Sequence, residues 1–343
     1  MFAGVIEKLS RRQDLSADEA AGAMQEIMGG RASPAQISGL LVGLAMKGER
    51  PSEIVGIART MRAHAVRVPG RFSPLLDLCG TGGDRAGTFN ISSVAAVVAA
   101  STGVRVAKHG NRAVSSSCGS ADLFEALGVR TAASPGTVAR CLDQAGIAFL
   151  FAPAFHPSMR HAAPVRRELG FRTVFNLLGP LTNPASPTHQ LVGVPRPELT
   201  ELVARSLVAL GSERAWVVHG ADGLDEISTT GYSKVSECRE GTVGTFYVHP
   251  SDFGLPVSTR AALAGGTVGA NAEIAKAILE GARGPARDIV VLNAGAALFI
   301  AGRAASIREG IALAESAIDC GAAMGTLENL VKLSQAGDGA EPQ

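Results

Sequence analysis

The first 65 residues carry apolar positions at helical spacing and no alternating stretch. Ser16, with Glu19 three residues on, forms a capping box for a helix that ends at Gly29-Gly30. Ser33-Pro34 gives an N-cap followed by proline at the first helical position. Ile37, Leu40, Leu41 and Leu44 then make an i, i+3, i+4, i+7 stripe. A third helix is predicted from about 52 to 65. An all-helical unit this small has more apolar face than it can bury alone, so it is expected to pack on a partner.

From residue 73 the pattern changes. Short apolar runs at 75–78, 104–107, 147–151, 190–194 and 215–218 read as strands, and 91–100, 121–127 and 135–146 between them as helices. This alternation predicts a mostly parallel central sheet with helices on both faces. Segment 233–249 alternates without a helix, which predicts an antiparallel excursion. From 271 to about 334 the chain reads as helix, and its end as a polar, frayed tail. The fold class is α/β: a small all-helical domain, then a larger α/β domain. In such sheets ligands bind beyond the carboxyl ends of the strands.

Composition narrows the chemistry. With 343 residues, 46% hydrophobic, the chain can bury a sizeable core. Lys plus Arg (32) nearly balances Asp plus Glu (31), so no long-range field steers it onto nucleic acid or an anionic membrane. One Trp and two Tyr supply no base-stacking platform. The five cysteines are scattered without a CxxC pair, which favours reduced thiols over disulfides or structural zinc. The N-terminus lacks a signal-peptide apolar region, and the longest apolar stretch, near 289–301, is shorter than the ~20 residues of a spanning helix. A cytoplasmic protein is expected, with no nucleic-acid or membrane partner.

Asp77-Leu78-Cys79-Gly80-Thr81-Gly82-Gly83-Asp84 follows the first strand. Its glycines let the backbone turn sharply and converge several N–H groups on one anion. Asn90-Ile91-Ser92-Ser93 opens the next helix, whose N-terminus favours phosphate. The spacing is neither GxGxxG nor GxxxxGK[ST], which disfavours nicotinamide and Walker-type readings. Lys108-His109-Gly110-Asn111-Arg112 sits at the end of the second strand, followed by Ser115-Ser116-Ser117 and by Ser120, a natural N-cap. Cations and hydroxyls there suit a pyrophosphate-bearing ligand. A third cluster runs from His156 to Gly170; Arg166 and Arg167 diverge by about 100° on a helix and should not serve one site. His219 to Glu226 carries three carboxylates after a strand. Asp222 fits a turn, whereas Asp225 and Glu226 suit Mg²⁺ brought in with phosphates. No Ser-His-Asp, Cys-His or paired-carboxylate arrangement appears, so the site is expected to work by positioning and electrostatics.

These motifs, with HPSMR, PVRRELGFRTVFNLLGPLTNP and DGLDEIS in order along nearly the whole chain, make it resemble the anthranilate phosphoribosyltransferases. The resemblance implies transfer of phosphoribose from 5-phosphoribosyl 1-pyrophosphate (PRPP) to the amine of anthranilate with release of pyrophosphate, the second step of the tryptophan branch from chorismate. It implies that Gly80, Gly83, Asp84, Thr88, Asn90, Ile91, Ser92, Ser93, Lys108, His109, Gly110, Asn111, Arg112, Ser115, Ser116 and Ser120 hold PRPP. Gly80, Asn111 and Arg166 would hold anthranilate, and Ser92, Asp225 and Glu226 would reach Mg²⁺. Lys108 and Arg166 would be the electrostatic stabilisers. The implied fold is a helical domain, 1–70 completed by about 164–185, hinged to an α/β domain of 71–163 and 186–343. The implied assembly is a homodimer through the helical part. Arg85, where glycine is usual, and Cys118, where a small residue is common, depart from the pattern beside the phosphate contacts. Two rivals are a pyrimidine nucleoside phosphorylase and a non-catalytic nucleic-acid-binding relative; the Asp225-Glu226 pair speaks against both.

Overall fold

The computed structural model describes residues 2–113 and 117–337. Four helices come first: α1 (Phe2–Ser10), α2 (Ala17–Met28), α3 (Pro34–Lys47) and α4 (Pro51–Ala63). The expected capping box forms at Ser16 with Glu19, and Ser33, expected only as an N-cap, forms a second one with Gln36. Buried Glu53 ties the unit together by accepting from the Leu15 and Arg50 amides at 2.8 Å and pairing with Lys47 at 3.1 Å.

The remainder alternates as expected. The strands are β1 (Leu76–Gly80), β2 (Val106–Gly110), β3 (Ile147–Phe151), β4 (His189–Gly193), β5 (Arg214–Gly220), β6 (Ser233–Arg239) and β7 (Thr242–Val248). Between and after them run α5 (Ile91–Ser101), α6 (Ser120–Ala126), α7 (Pro135–Gln144), α8 (Ala152–Phe155), α9 (Ala163–Leu169), α10 (Phe175–Leu178), α11 (Leu199–Ala209), α12 (Val268–Leu279), α13 (Pro285–Ile300), α14 (Ile307–Asp319) and α15 (Ala322–Gln335). The sheet order is β3-β2-β1-β4-β5-β6-β7, parallel through β5, with β6 and β7 the antiparallel excursion. None of the described helices is long and apolar enough to cross a membrane.

Three strands extend beyond their apolar runs: β5 reaches Gly220 and takes in His219, and the other two bear directly on the candidate site. β1 continues to Gly80 and β2 to Gly110, so Lys108, His109 and Gly110 lie within a strand and not in the loop beyond it. An apolar count stops at Lys108, but this ammonium is buried at 2% exposure with partners inside the sheet.

The sheet's two faces belong to different hydrophobic clusters, as the period of two demands. In β5, Trp216 and Val218 face one cluster with α5 and α12–α15. Ala215 and Val217 face the other with α1–α4, residues 162–181 and α11. Val192, Val194 and α11 thus share a core with the four N-terminal helices. Asp77 in β1 sits fully buried, held by Asn183 Nδ2 at 2.9 Å and the His109 amide at 3.3 Å. Burial raises its carboxyl above the ordinary range, against the pull of Lys108.

Candidate active site

Strand order reverses between β1 and β4, whose carboxyl ends, Gly80 and Gly193, are register partners. That switch point is where an open α/β sheet leaves a crevice. Asp225, from the loop after β5, fills its floor. A Cβ on Gly193 would overlap the Asp225 carbonyl oxygen, and one on Gly80 would stand 2.8 Å from its Cγ. Gly193 therefore admits the Asp225 backbone and Gly80 its carboxylate.

The loop beyond Gly80 is pinned at several points. Thr81 N donates to Gly193 O at 2.9 Å, Gly82 N to Asp225 Oδ2 at 2.8 Å, and Gly265 N to Gly87 O at 2.8 Å. Arg172 Nη2 donates to Gly82 O at 2.9 Å, and a Cβ on Gly83 would overlap its guanidinium. Gly82 and Gly83 take positive φ of 69° and 80°, and so does Arg85 at 55°. The departure from glycine noted at Arg85 thus falls on a left-handed residue, a conformation that costs an L-residue roughly 1–2 kcal/mol. Thr88 bridges to Ala264, and Asp84 Oδ1 accepts from Ala86 N at 3.2 Å.

Asn90 is the N-cap residue of α5, but its side chain does not cap. Its Nδ2 donates to Cys118 O at 3.1 Å and its Oδ1 accepts from Asn271 Nδ2 at 3.1 Å, which ties the start of α5 to the Cys118 loop and to the first turn of α12. Ile91 and Ser93 turn inward and are buried. Ser92 links the two halves of the site: its amide donates to Glu226 Oε1 at 3.1 Å, and its Oγ accepts from Lys108 Nζ at 3.3 Å. Lys108 Nζ also donates to Leu78 O at 2.6 Å. Burial, then repulsion from Asp84, raises the Asp225 carboxyl well above the ordinary range. Burial, then repulsion from Asp225, does the same to Glu226, against Lys108 and the Ser92 amide. Two buried carboxylates that share a site cannot both ionise cheaply without a cation. Among the described residues no group of three or more His, Cys, Asp or Glu is arranged to hold a metal alone. An oxygen pair of this kind suits Mg²⁺ that arrives with phosphates and keeps other ligands of its own.

At the end of β2 the picture is mixed. Gly110 is closely packed, since a Cβ would overlap Ser120 Oγ and meet the Phe149 ring at 2.8 Å. Ser120 Oγ donates to Asn111 O at 3.4 Å. Arg112 does not join Lys108: its guanidinium forks onto Glu125 at 2.7 Å and reaches Asp122 at 3.2 Å. Ser115 and Ser116 lie outside the described residues. Asp222 accepts from Ser228, Thr230 and the Leu224 amide, as its turn reading requires.

A second group meets between β2, α8 and α9. The His109 and His156 rings stand 5.3 Å apart. His109 Nδ1 donates to Gly179 O at 3.0 Å. Neither His109 Nε2 nor either His156 ring nitrogen makes a well-formed hydrogen bond, although the Thr182 backbone acts weakly on His156. Burial lowers His109 to about 3 and His156 to about 4, so both are neutral imidazoles at physiological pH. Arg166 is half-buried over the Phe175 ring at 4.9 Å and has no ion pair among the described residues, whereas Arg167 is exposed. His156, Arg172 and Asn183 were not singled out for these contacts by any local pattern.

The family model "Glycosyl transferase family, a/b domain" matches residues 73–324, and "Glycosyl transferase family, helical bundle domain" matches 3–65. The anthranilate phosphoribosyltransferase of Moorella thermoacetica is 55% identical over 331 residues, 96% of this chain and 98% of that protein. That of Thermomicrobium roseum is 55% identical over 340 residues, 98% of each. A crystal structure of the Thermus thermophilus enzyme superposes with a TM-score of 0.92 at 46% identity, over 97% of this chain and 99% of that one. The Saccharomyces cerevisiae enzyme in complex with PRPP and Mg superposes with a TM-score of 0.89 at 29% identity, over 97% of each chain.

Proposed function

The chain belongs to the anthranilate phosphoribosyltransferases, and from that premise we propose how its residues divide the work. The reaction moves phosphoribose from PRPP to the amine of anthranilate and releases pyrophosphate. We assign the PRPP side to the crevice at β1 and β4. Gly80, Gly83, Asp84, Thr88, Asn90, Ser92 and Ser93 form its wall, and Lys108 supplies the fixed cation.

The observation that carries this assignment is the meeting of Lys108, Ser92, Glu226 and Asp225 at one sheet edge, from three separate segments. Mg²⁺, as in the yeast complex, would be held by Ser92, Asp225 and Glu226 and would neutralise charge on the departing pyrophosphate. Lys108 is aligned in advance by Leu78 O and Ser92 Oγ, so it can stabilise developing phosphate charge without reorganising. The aromatic amine is already nucleophilic, and no residue needs to act as a strong base. Arg166 has no carboxylate partner among the described residues and is free to orient that of anthranilate through a two-pronged contact. We assign Asn111 with it as a polar guide to the aromatic acid. Holding both reactants supplies much of the remaining acceleration.

The same reading takes residues 1–70 and about 164–185 as one domain, hinged to the rest. It also takes the helical face, where Met46 is 71% exposed, as the contact for a second copy. The direct test is loss of anthranilate fluorescence on adding PRPP, with and without Mg²⁺. Turnover with Mg²⁺ and little without it is expected; no loss with Mg²⁺ present overturns the assignment.

A further inference from the structure

At the opposite, amino-terminal end of β1 and β4 lies a cavity of about 500 Å³. Its walls are Arg62, Arg67, Arg71 and Phe72 from the chain leaving α4, with Pro184 and Ser186 from the chain entering β4. No acidic residue lines it. None of the three guanidiniums has an ion pair among the described residues. Arg62 Nε donates to Leu181 O at 2.7 Å, which holds it in the wall. A fourth guanidinium, Arg105, stands 5.9 Å from the Phe72 ring, and the nearby Asp143 is paired with it at 3.7 Å.

In a chain of net charge +1, three guanidiniums line one cavity with no acidic residue among its walls. Such an arrangement gains most from a multivalent oxyanion, which forked guanidiniums bind through paired charge-assisted hydrogen bonds. We infer that this cavity is a binding site for a small multivalent oxyanion of the phosphate type, separate from the catalytic crevice. A five-residue strand rising ~3.3 Å per residue puts about 16 Å between the two. The cavity is walled by two of the segments that join the N-terminal helices and residues 162–181 to the sheet. A bound anion therefore bridges those segments and restrains their relative movement.

Equilibrium dialysis of labelled inorganic pyrophosphate without Mg²⁺ tests this on the full chain. Arg67 and Arg71 are exposed, so R67Q/R71Q should fold; Arg62 is left in place because it holds Leu181 O. Without Mg²⁺ the wild type should bind one equivalent at this cavity, K108Q should bind it unchanged, and R67Q/R71Q should weaken it at least tenfold while keeping turnover within about twofold. Citrate, a polycarboxylate, should compete poorly at the site that R67Q/R71Q removes. Wild type and R67Q/R71Q binding pyrophosphate alike would overturn the inference, as would citrate displacing it as well as phosphate does.

Discussion

Gly80→Ala probes the floor of the crevice. The new Cβ would stand 2.8 Å from Asp225 Cγ and nearer still to Oδ2, whereas ordinary contact begins near 3.4 Å. The carboxylate therefore has to move by roughly half an ångström at Cγ and by about 1 Å at its oxygen. Gly82 N, 2.8 Å from that oxygen, must follow or lose its acceptor. A misplacement of about 1 Å at a reacting site can cost about 100-fold, or about 2.7 kcal/mol. We expect kcat/KM for PRPP, followed by anthranilate fluorescence, to fall by about that factor while the melting temperature barely moves. On an Asp225→Ala background the clashing atoms are gone, so the same Gly80→Ala change should cost less than about threefold. Such non-additivity is the signature of contact. Another full 100-fold loss on that background would show that Gly80 acts elsewhere and refute the reasoning.

Arg85→Gly should relieve the positive φ and raise stability in urea by about 1 kcal/mol, whereas Arg85→Ala should not; equal gains would trace the effect to the side chain. Arg172→Ala removes a charge-assisted bond to Gly82 O and should raise the PRPP KM about tenfold with the anthranilate KM unchanged; parallel shifts in steady-state kinetics would count against it. Arg166→Ala should raise the anthranilate KM far more than the PRPP KM, and equal effects would sink that assignment. His156 is near 6.5 when unfolded and about 4 when folded, so the unfolded chain takes the proton first. Its contribution to stability is whole above pH ~6.5 and is lost as pH falls toward ~4, with a slope of up to about 1.4 kcal/mol per pH unit. His156→Gln should flatten that acid limb in urea titrations; an unchanged limb would contradict the burial argument.

What could be read from the chain is what is local. The Ser16 capping box, the Ser33 N-cap, the helical stripe and the switch from helical to strand alternation each occupy a few neighbouring residues, and each forms. The pairing of Arg112 is nearly local too: Asp122 and Glu125 lie one and two turns into the flanking region, and their charges were visible beside the basic run. The contacts of Asp77 were not, because Asn183 comes from 106 residues away. Strand ends were misplaced for a related reason. Lys108 reads as loop by polarity, and only the distant Leu78 carbonyl and Ser92 hydroxyl make its burial tolerable.

The glycine run shows how a correct local reading still leaves a role undecided. Glycines after a strand say that backbone N–H groups can converge, and nothing in their spacing says on what. Here Gly82 N donates to Asp225, 143 residues away; Gly80 leaves room for this carboxylate and Gly193 for the Asp225 backbone. A carboxylate and a phosphate oxygen compete for that one N–H. For the loop to hold pyrophosphate through Gly82, Asp225 must turn away from it, and its carboxyl, raised by burial and by Asp84, gains from a cation instead. Loop and metal are then coupled: whatever draws Asp225 off Gly82 also frees the donor. That is why a single methyl group on Gly80, which forces the same displacement with no ligand to reward it, should be felt in catalysis well before it is felt in stability.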